Sequence, residues 1–298
     1  DIAGGRADRF IFAMQKTTEA FGQSKTDYEI FSLLASELGF NSEFTEGRNE
    51  RQWLEHLHQR FQQTASEVVD DVPNFEEFWS KGFYALPEFQ GEAFLESFRK
   101  DPIVNPLSTP SGKIEIFSSK IDKFGYDDCP GHPIWMEPCE WLGAKLTSSY
   151  PLHLITNQPK TRLHSQYDNG SYSLENKING REPVCLNPQD ALARGISDGD
   201  VVRIFNGRGA CLAGVIVTED VMSGVVQLST GAWYDPLVPG KIGSLDVHGN
   251  PNVLTIDKGT SKLAQGPSAM SALVEVELFE DQLPPIKIFT PPEIVQDE

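Results

Sequence analysis

The apolar segment YPLHLI at residues 150–155 runs directly into the polar segment TNQPKTRLHSQ at residues 156–166. A short apolar run that ends in a proline-containing polar run is typical of a buried strand entering a loop. The polar segment is rich in side chains that donate and accept hydrogen bonds, which suits recognition of a ligand with ring edges and phosphates. The alternative is a solvated loop held by its own side chains. Composition alone leaves both interpretations open.

Downstream of this loop, the sequence predicts short strands with a single helix among them. Asn187-Pro188 supplies an N-cap and a first-turn proline, and Gly195 a stop, so residues 187–194 are predicted to form that helix. Asn206-Gly207 indicates a hairpin, because both residues tolerate positive φ. Short strands separated by frequent turns indicate a sandwich or a barrel. The predicted strands are residues 150–155, 183–186, 201–205, 210–217, 225–229 and 272–279.

Upstream of residue 142, the sequence predicts several helices and one strand. Thr26 and Glu29 have capping-box spacing, and Asn74 is an expected N-cap. The alternation in GKIEIF at residues 112–117 predicts a strand. The predicted helices are residues 26–38, with Ile30, Leu33, Leu34 and Leu38 on one face; residues 48–69, with Trp53, Leu54, Leu57 and Phe61 buried and His56 and His58 solvated; and a short helix carrying Phe75, Phe78 and Trp79.

A change in composition at residues 142–149 predicts a domain boundary. The chain is accordingly divided into a first domain at residues 1–145, a β-rich domain at residues 146–282 and a proline-rich tail at residues 283–298. The prolines of the tail indicate an extended segment that wraps the surface.

Composition and motifs limit the functions available to the chain. The 298 residues carry a formal net charge of -18, which disfavours nucleic acid as a partner because phosphate contacts need a basic face. No long uncharged apolar run is present, so no membrane span is predicted. No nucleophile elbow, cysteine–base motif or zinc-spaced His-Glu pair occurs. The sequence therefore predicts no catalytic residue and no metal ligand, and the β-rich domain alone is expected to bind rather than catalyse.

A second polar turn is formed by GNPNVLT at residues 249–255. Pro251 stiffens the turn, and the amides of Asn250 and Asn252 either read a ring edge or close the turn. Gln265 is either a buried amide or a ligand contact. Because this turn and the loop at 156–166 both follow predicted strands, we expect them to meet on one rim.

Several of these segments resemble the dimethyl sulfoxide reductase family of molybdopterin enzymes, with the greatest similarity to its trimethylamine-N-oxide and S-oxide reductases. The resemblance implies an α/β portion, begun upstream of Asp1 and completed by residues 1–145, followed by a six-stranded double-psi β-barrel. It covers nearly the whole chain. Its densest matches are RLHSQ at 162–166, EPV at 182–184, NPQD at 187–190, GDVVR at 199–203, GAWYDP at 231–236 and GNPNVLT at 249–255.

The resemblance also implies that the barrel holds the cofactor bis(molybdopterin guanine dinucleotide)molybdenum. Gln158 stands where the family often has His, which leaves an amide to make that contact. The residues expected to bind the cofactor are Asn157, Gln158, His164, Ser165, Gln166, Asn252 and Gln265.

The activity implied by the resemblance is reduction of trimethylamine N-oxide by oxygen-atom transfer. The serine that ligates molybdenum is expected in the upstream part of the same polypeptide, a c-type cytochrome is the expected electron donor, and the periplasm is the expected compartment. The alternatives are an S-oxide reductase acting on dimethyl sulfoxide or biotin sulfoxide, and a noncatalytic double-psi barrel that only binds.

Overall fold

A computed structural model describes residues 1–5, 8–67, 69–88, 91, 93–266, 268 and 272–291. The chain forms two compact units, residues 1–113 and 114–298. The division falls earlier than the sequence-based boundary at residues 145–146, because residues 114–145 belong with the barrel. Glu140, for example, accepts a hydrogen bond from the backbone N–H of Leu273 at 2.7 Å and forms a salt bridge with Arg208.

The first unit combines a small antiparallel sheet with helices. Its elements are β1 (Ile2–Gly4), β2 (Phe10–Ala13), α1 (Asp27–Glu37), α2 (Asn41–Thr45), α3 (Glu50–Ala65), α4 (Phe75–Lys81), β3 (Phe83–Ala85) and α5 (Glu96–Lys100). The three strands lie in the order β1-β2-β3. The aromatic and acidic composition of residues 83–98 predicts helix and loop, but the segment begins with the strand β3.

Capping boxes start the three predicted helices, but burial of their apolar residues differs from expectation. The boxes pair Thr26 with Glu29, Asn49 with Gln52 and Asn74 with Glu77. In α1 the four predicted face residues are all exposed and only Ala35 is buried, while in α3 Leu57 is 47% exposed. Local sequence sets where a helix begins, whereas burial depends on what packs against it.

The prediction of a solvated His58 is wrong. The side chain is 2% exposed, and its ring stacks on Phe78 at 4.9 Å between centroids. Phe61 and Phe75 meet the same ring edge-on at 5.9 and 5.5 Å. Packing of α4 against α3 thus encloses the imidazole in aromatic rings, a contact that helical periodicity within α3 alone does not reveal.

The second unit is built on a closed six-stranded barrel, which confirms the predicted fold class. Its strands are β4 (Leu152–Ile155), β5 (Pro183–Leu186), β6 (Val201–Phe205), β7 (Ala210–Val217), β8 (Val225–Leu228) and β9 (Ala272–Leu278). They lie in the order β4-β8-β5-β7-β6-β9. Two pairs are parallel, β4 with β8 and β5 with β7, and the remaining neighbours are antiparallel.

The interior of the barrel is filled by alternate residues of its strands. Leu154, Leu186 and Ile204 are fully buried there, and burial of each such side chain contributes about 1.5–3 kcal/mol. In β7 the residues from Cys211 to Val215 are all buried, including those facing away from the barrel interior. Leu212 explains this departure from alternation, because it packs on Val247 in a second apolar cluster outside the barrel.

Short helices and turns connect the strands. The predicted helix at 187–194 is confirmed as α8 (Pro188–Leu192), capped by the Asn187 side chain, which accepts from the Gln189 N–H. The strand predicted at residues 112–117 is wrong, because the described chain offers no pairing strand there and Ile114 and Ile116 remain exposed. The other connecting helices are α6 (Ser119–Asp122), α7 (Ser171–Glu175) and the 3-10 helices Lys145–Ser148 and Pro251–Val253. Across the residues that the structure describes, no helix has the length and apolar character needed to cross a bilayer.

Candidate functional site

A cleft of about 440 Å³ lies where the loop after β4 meets the turn at residues 249–255. Three of the residues predicted to bind a ligand, His164, Ser165 and Asn252, line it together. Two polar segments that are far apart in the sequence therefore share one cavity. The full lining is His164, Ser165, Thr230, Gly231, Ala232, Trp233, Tyr234, Asn250 and Asn252.

The first wall of the cleft consists of His164, Ser165 and residues 230–234, and Gly231 allows it to form. Its φ is +95°, and a Cβ placed there would overlap the carbonyl group of His164 and lie 3.0 Å from the Ser165 nitrogen. Only a residue without a side chain lets the two segments approach this closely. The indole Nε1–H of Trp233 then donates to the Ser165 carbonyl at 2.8 Å, which joins the segments on the other side of Gly231.

The second wall of the cleft is formed by Asn250 and Asn252, and the buried carboxylate of Asp246 supports it from behind. This carboxylate accepts hydrogen bonds from the backbone N–H groups of Gly249 and Asn250, each at 2.7 Å. Burial raises the pKa of Asp246, and the backbone donors oppose that shift. Asn250 Oδ1 in turn accepts from the N–H of Asn252 at 2.9 Å, so Asn250 closes the turn. The exposed side chain of Asn252 is left to line the cleft.

A buried ionic cluster lies behind the first wall and consists of Arg162, Asp168, Lys177 and Glu182. Their side chains are at most 4% exposed. Lys177 Nζ lies 2.8 Å from Asp168 and 2.9 Å from Glu182, and Arg162 lies 3.3 Å from Asp168 and 3.1 Å from Glu182. Two cations thus meet two carboxylates, which avoids the large cost of burying an unpaired charge.

The ionic cluster holds the backbone of the cleft. Arg162 Nε donates to the His164 carbonyl at 3.1 Å, and its guanidinium also donates to the Thr230 carbonyl at 3.3 Å. Asp168 accepts from the Trp233 N–H at 2.9 Å. Burial would raise the pKa of Asp168, but the hydrogen bond from Lys177, the Trp233 amide and the two nearby cations together lower it. Asp168 therefore stays ionised and continues to accept the hydrogen bond from the Trp233 N–H.

His248 supports the same segment from the side of the second wall. Its Nδ1 lies 2.9 Å from the Trp233 carbonyl, which fixes the proton on Nδ1. Burial, and then the positive charge of Lys177, lower the pKa of His248, so the ring stays neutral. Its Nε2 is buried and has no hydrogen-bond partner among the residues that the structure describes.

The residues that line the cleft lie within a segment that matches a known protein family. The sequence profile of the molydopterin dinucleotide binding domain matches residues 152–273. The chain is 45% identical to dimethyl sulfoxide/trimethylamine N-oxide reductase of Cereibacter sphaeroides over 98% of its own length. The chain belongs to the dimethyl sulfoxide reductase family of molybdopterin enzymes. The resemblance inferred from the motifs is thereby confirmed.

Other relatives carry different substrate names. The chain is 43% identical to trimethylamine-N-oxide reductase of Haemophilus influenzae over 99% of its length, and 43% identical to biotin sulfoxide reductase of Cereibacter sphaeroides over 93%. It spans only 36–37% of these relatives. Acetylene hydratase from Pelobacter acetylenicus has the same fold over 91% of this chain and 35% of its own, with a TM-score of 0.65 and 21% identity.

All seven predicted site residues fall within the molybdopterin dinucleotide-binding domain, but they occupy different places in it. Gln158 Nε2 lies 3.3 Å from His164 Nδ1, directly behind the cleft. Asn157 accepts from Ser229 Oγ at 3.2 Å and so ties the loop to the end of β8. Gln166 is exposed beside Ser165.

Gln265 lies apart from the cleft lining. Its side chain donates to the Ser261 carbonyl at 2.8 Å, within its own loop. The same loop contributes Gly259 and Thr260 to a different cavity of about 410 Å³, which Glu137 and Cys139 also line. In this structure Gln265 therefore stabilises a loop and is not brought together with His164 and Asn252.

The chemistry of the cleft fits the heterocyclic and sugar parts of a dinucleotide. Its lining offers imidazole, hydroxyl, amide, phenol and indole groups, together with the backbone of a glycine. Such groups pair with ring edges and hydroxyls, whose hydrogen bonds are directional. Within the described ranges, no group of three or more His, Cys, Asp or Glu side chains is arranged to hold a metal ion. The hydrogen-bonding groups of the lining suit the organic arm of the cofactor.

Sequence reasoning did not predict the supporting residues Asp168, Lys177, Glu182, Asp246 and His248. Each is an isolated charged or polar residue between unremarkable neighbours, so periodicity gives it no signal. The one available signal was Glu182 in the matching EPV segment. Their role follows from burial, which the tertiary structure alone provides.

Proposed function

We propose that the barrel holds a guanine dinucleotide arm of bis(molybdopterin guanine dinucleotide)molybdenum, and that the complete polypeptide reduces trimethylamine N-oxide to trimethylamine. The observation that carries the proposal is the shared cleft of His164, Ser165 and Asn252. Two polar walls that line one cleft suit a ligand that is recognised by directed hydrogen bonds.

His164 and Asn252 are the proposed principal contacts. The Gln158 amide N–H faces His164 Nδ1, so Nδ1 accepts and the imidazole proton resides on Nε2, from which it is donated to the ligand. The Asn252 amide offers both a donor and an acceptor from the opposite wall. Ser165 adds a hydroxyl. Asn157, Gln158, Gln166 and Gln265 are proposed to shape the surrounding loops or touch outlying parts of the cofactor.

The cofactor, when bound, supplies a two-electron redox centre for oxygen-atom transfer. Reduction of an amine N-oxide consumes two electrons and two protons and yields the amine and water. The part of this chemistry assigned to the present chain is to bind and orient the dinucleotide, so that the redox centre is held in a fixed place. Ligation of molybdenum is assigned to the upstream part of the same polypeptide.

Reduction of an S-oxide is the second candidate activity. The relatives that match this chain are named for dimethyl sulfoxide, trimethylamine N-oxide and biotin sulfoxide, which favours a small oxide substrate without choosing between nitrogen and sulfur. We further propose a c-type cytochrome as the electron donor and the periplasm as the compartment. A noncatalytic binding barrel is the remaining alternative, and turnover of any oxide by the complete polypeptide would exclude it.

The test is the cofactor content of the full-length protein. Purified wild-type protein should contain molybdenum and guanine nucleotide. His164→Ala should lower retention of both on dilution by about 2- to 10-fold, the equivalent of one lost hydrogen bond, while unfolding stays cooperative. His132→Ala is the matched control, because His132 is an exposed histidine of the same unit outside the cleft lining.

Two results would count against the proposal. Wild-type protein free of molybdenum and guanine nucleotide would exclude the cofactor. Equal retention in the His164 and His132 variants would remove the role given to His164. Comparing kcat/KM for trimethylamine N-oxide with that for dimethyl sulfoxide separates the two candidate substrates.

A further inference from the structure

Residues 284–289, termed the strap here, lie along the outside of the barrel and are fixed by hydrogen bonds. Arg181 donates to the Pro284 carbonyl at 2.6 Å. The backbone N–H groups of Lys287 and Ile288 donate to one oxygen of Asp235 at 2.6 and 3.0 Å. Asp235 is 5% exposed, so its carboxylate needs these donors. The strap is therefore an ordered part of the second unit.

The strap touches the first wall of the cleft through Phe289. The Phe289 ring lies 5.5 Å from the indole of Trp233 and meets His248 edge-on at 5.0 Å. Trp233 lines the cleft and donates to the Ser165 carbonyl. Displacing Phe289 would remove a packing contact from the Trp233 indole. The indole would then be free to move, which would weaken the hydrogen bond that positions Ser165.

The strap reaches the second wall through Asp235. The backbone N–H of Asp235 donates to Asp246 Oδ1 at 2.8 Å, while Asp246 Oδ2 collects the N–H groups of Gly249 and Asn250. A chain of buried hydrogen bonds thus runs from the strap to the turn that carries Asn252. Such connected networks are rigid because each buried group is satisfied only in one arrangement.

We propose that the strap is a positioning element that holds both walls of the cleft, and that Phe289 governs how long the dinucleotide stays bound. The part concerning the dinucleotide rests on the proposed function. Phe289 does not line the cleft, so its effect is transmitted through Trp233 and His248. The proposal predicts that loss of the Phe289 ring loosens residues 231–234 and 248–252 together.

The experiment compares three variants of the full-length protein. Phe289→Ala removes the aromatic ring, whereas Phe289→Tyr keeps an aromatic ring at the same position. Phe279→Ala is the matched control, because Phe279 is also half-buried but packs on the apolar cluster of Val201, Leu212 and Val247 rather than on Trp233 and His248. The rate of guanine nucleotide release is measured by dilution into excess free guanosine monophosphate, alongside amide hydrogen exchange of peptides covering 231–234 and 248–252.

Phe289→Ala should release the nucleotide about tenfold faster than wild type, which corresponds to loss of two aromatic contacts. Phe279→Ala should stay within about twofold, and Phe289→Tyr should restore the wild-type rate. Exchange at both peptides should rise only in Phe289→Ala. Equal release from both alanine variants, or failure of tyrosine to rescue, would overturn the proposal.

The outcome is separable from that of the proposed function. If wild-type protein holds no guanine nucleotide, the proposed function fails and hydrogen exchange alone decides the positioning role. Faster exchange at both peptides in Phe289→Ala, and not in Phe279→Ala, would support the strap as a positioning element. Unchanged exchange at either peptide would refute it.

Discussion

Replacement of Gly231 by alanine should be among the most damaging single changes in the barrel unit. At φ +95° a residue with a side chain carries a backbone cost of about 1–3 kcal/mol. The new Cβ would also overlap the His164 carbonyl, which must move away and lose its hydrogen bond from Arg162. A hydrogen bond to a charged donor contributes about 1.5–3 kcal/mol, so the total loss should be about 2.5–6 kcal/mol.

Gly240→Ala is the control for the backbone term. Gly240 has φ +75°, but a Cβ there meets nothing within 4 Å. The free energy of unfolding of Gly240→Ala should therefore fall only by the backbone cost of about 1–3 kcal/mol. Denaturant unfolding of both variants in the full-length protein measures the difference, and hydrogen exchange of residues 162–166 locates it. The reasoning would be refuted if the two variants had unfolding free energies within about 1 kcal/mol of each other and the 162–166 peptide exchanged as in wild type.

Two further predictions concern buried charge and pH. Lys177→Met should cost about 3–5 kcal/mol in denaturant unfolding, because it leaves the buried Asp168 and Glu182 with Arg162 alone. Lys262→Met breaks an exposed pair and should cost far less, so similar losses in the two variants would contradict the burial argument. Burial lowers the pKa of His58 in the folded protein below its ordinary 6.5. The free energy of unfolding is therefore highest above pH 6.5, where the ring is neutral in both states, and it decreases as the pH falls from 6.5 towards the lowered pKa. His58→Phe should flatten the stability profile between about pH 5 and 7, and an unchanged slope would assign the pH dependence to other groups.

Local signals accounted for most elements of the barrel. Strands such as Pro183–Leu186 and Ala210–Val217 have the predicted bounds, because turn residues mark their ends and apolar residues fill them. The Thr26–Glu29 capping box and the Asn74 N-cap began α1 and α4 where the sequence predicted them. Where the signal needed a distant partner, prediction failed, as for the strand expected at 112–117.

In the candidate site, too, local features were predictable from the sequence and long-range contacts were not. The sequence by itself determined that residues 156–166 and 249–255 are polar turns following strands, since composition and proline placement are local properties. Tertiary structure alone decided that His164 and Asn252 line one cleft while Gln265 does not. It also decided that Lys177 and Asp168, which read as ordinary surface charges, are buried together behind Trp233. Barrel closure is the physical cause: it brings chain segments far apart in sequence to one end, and burial then gives each charge its partner.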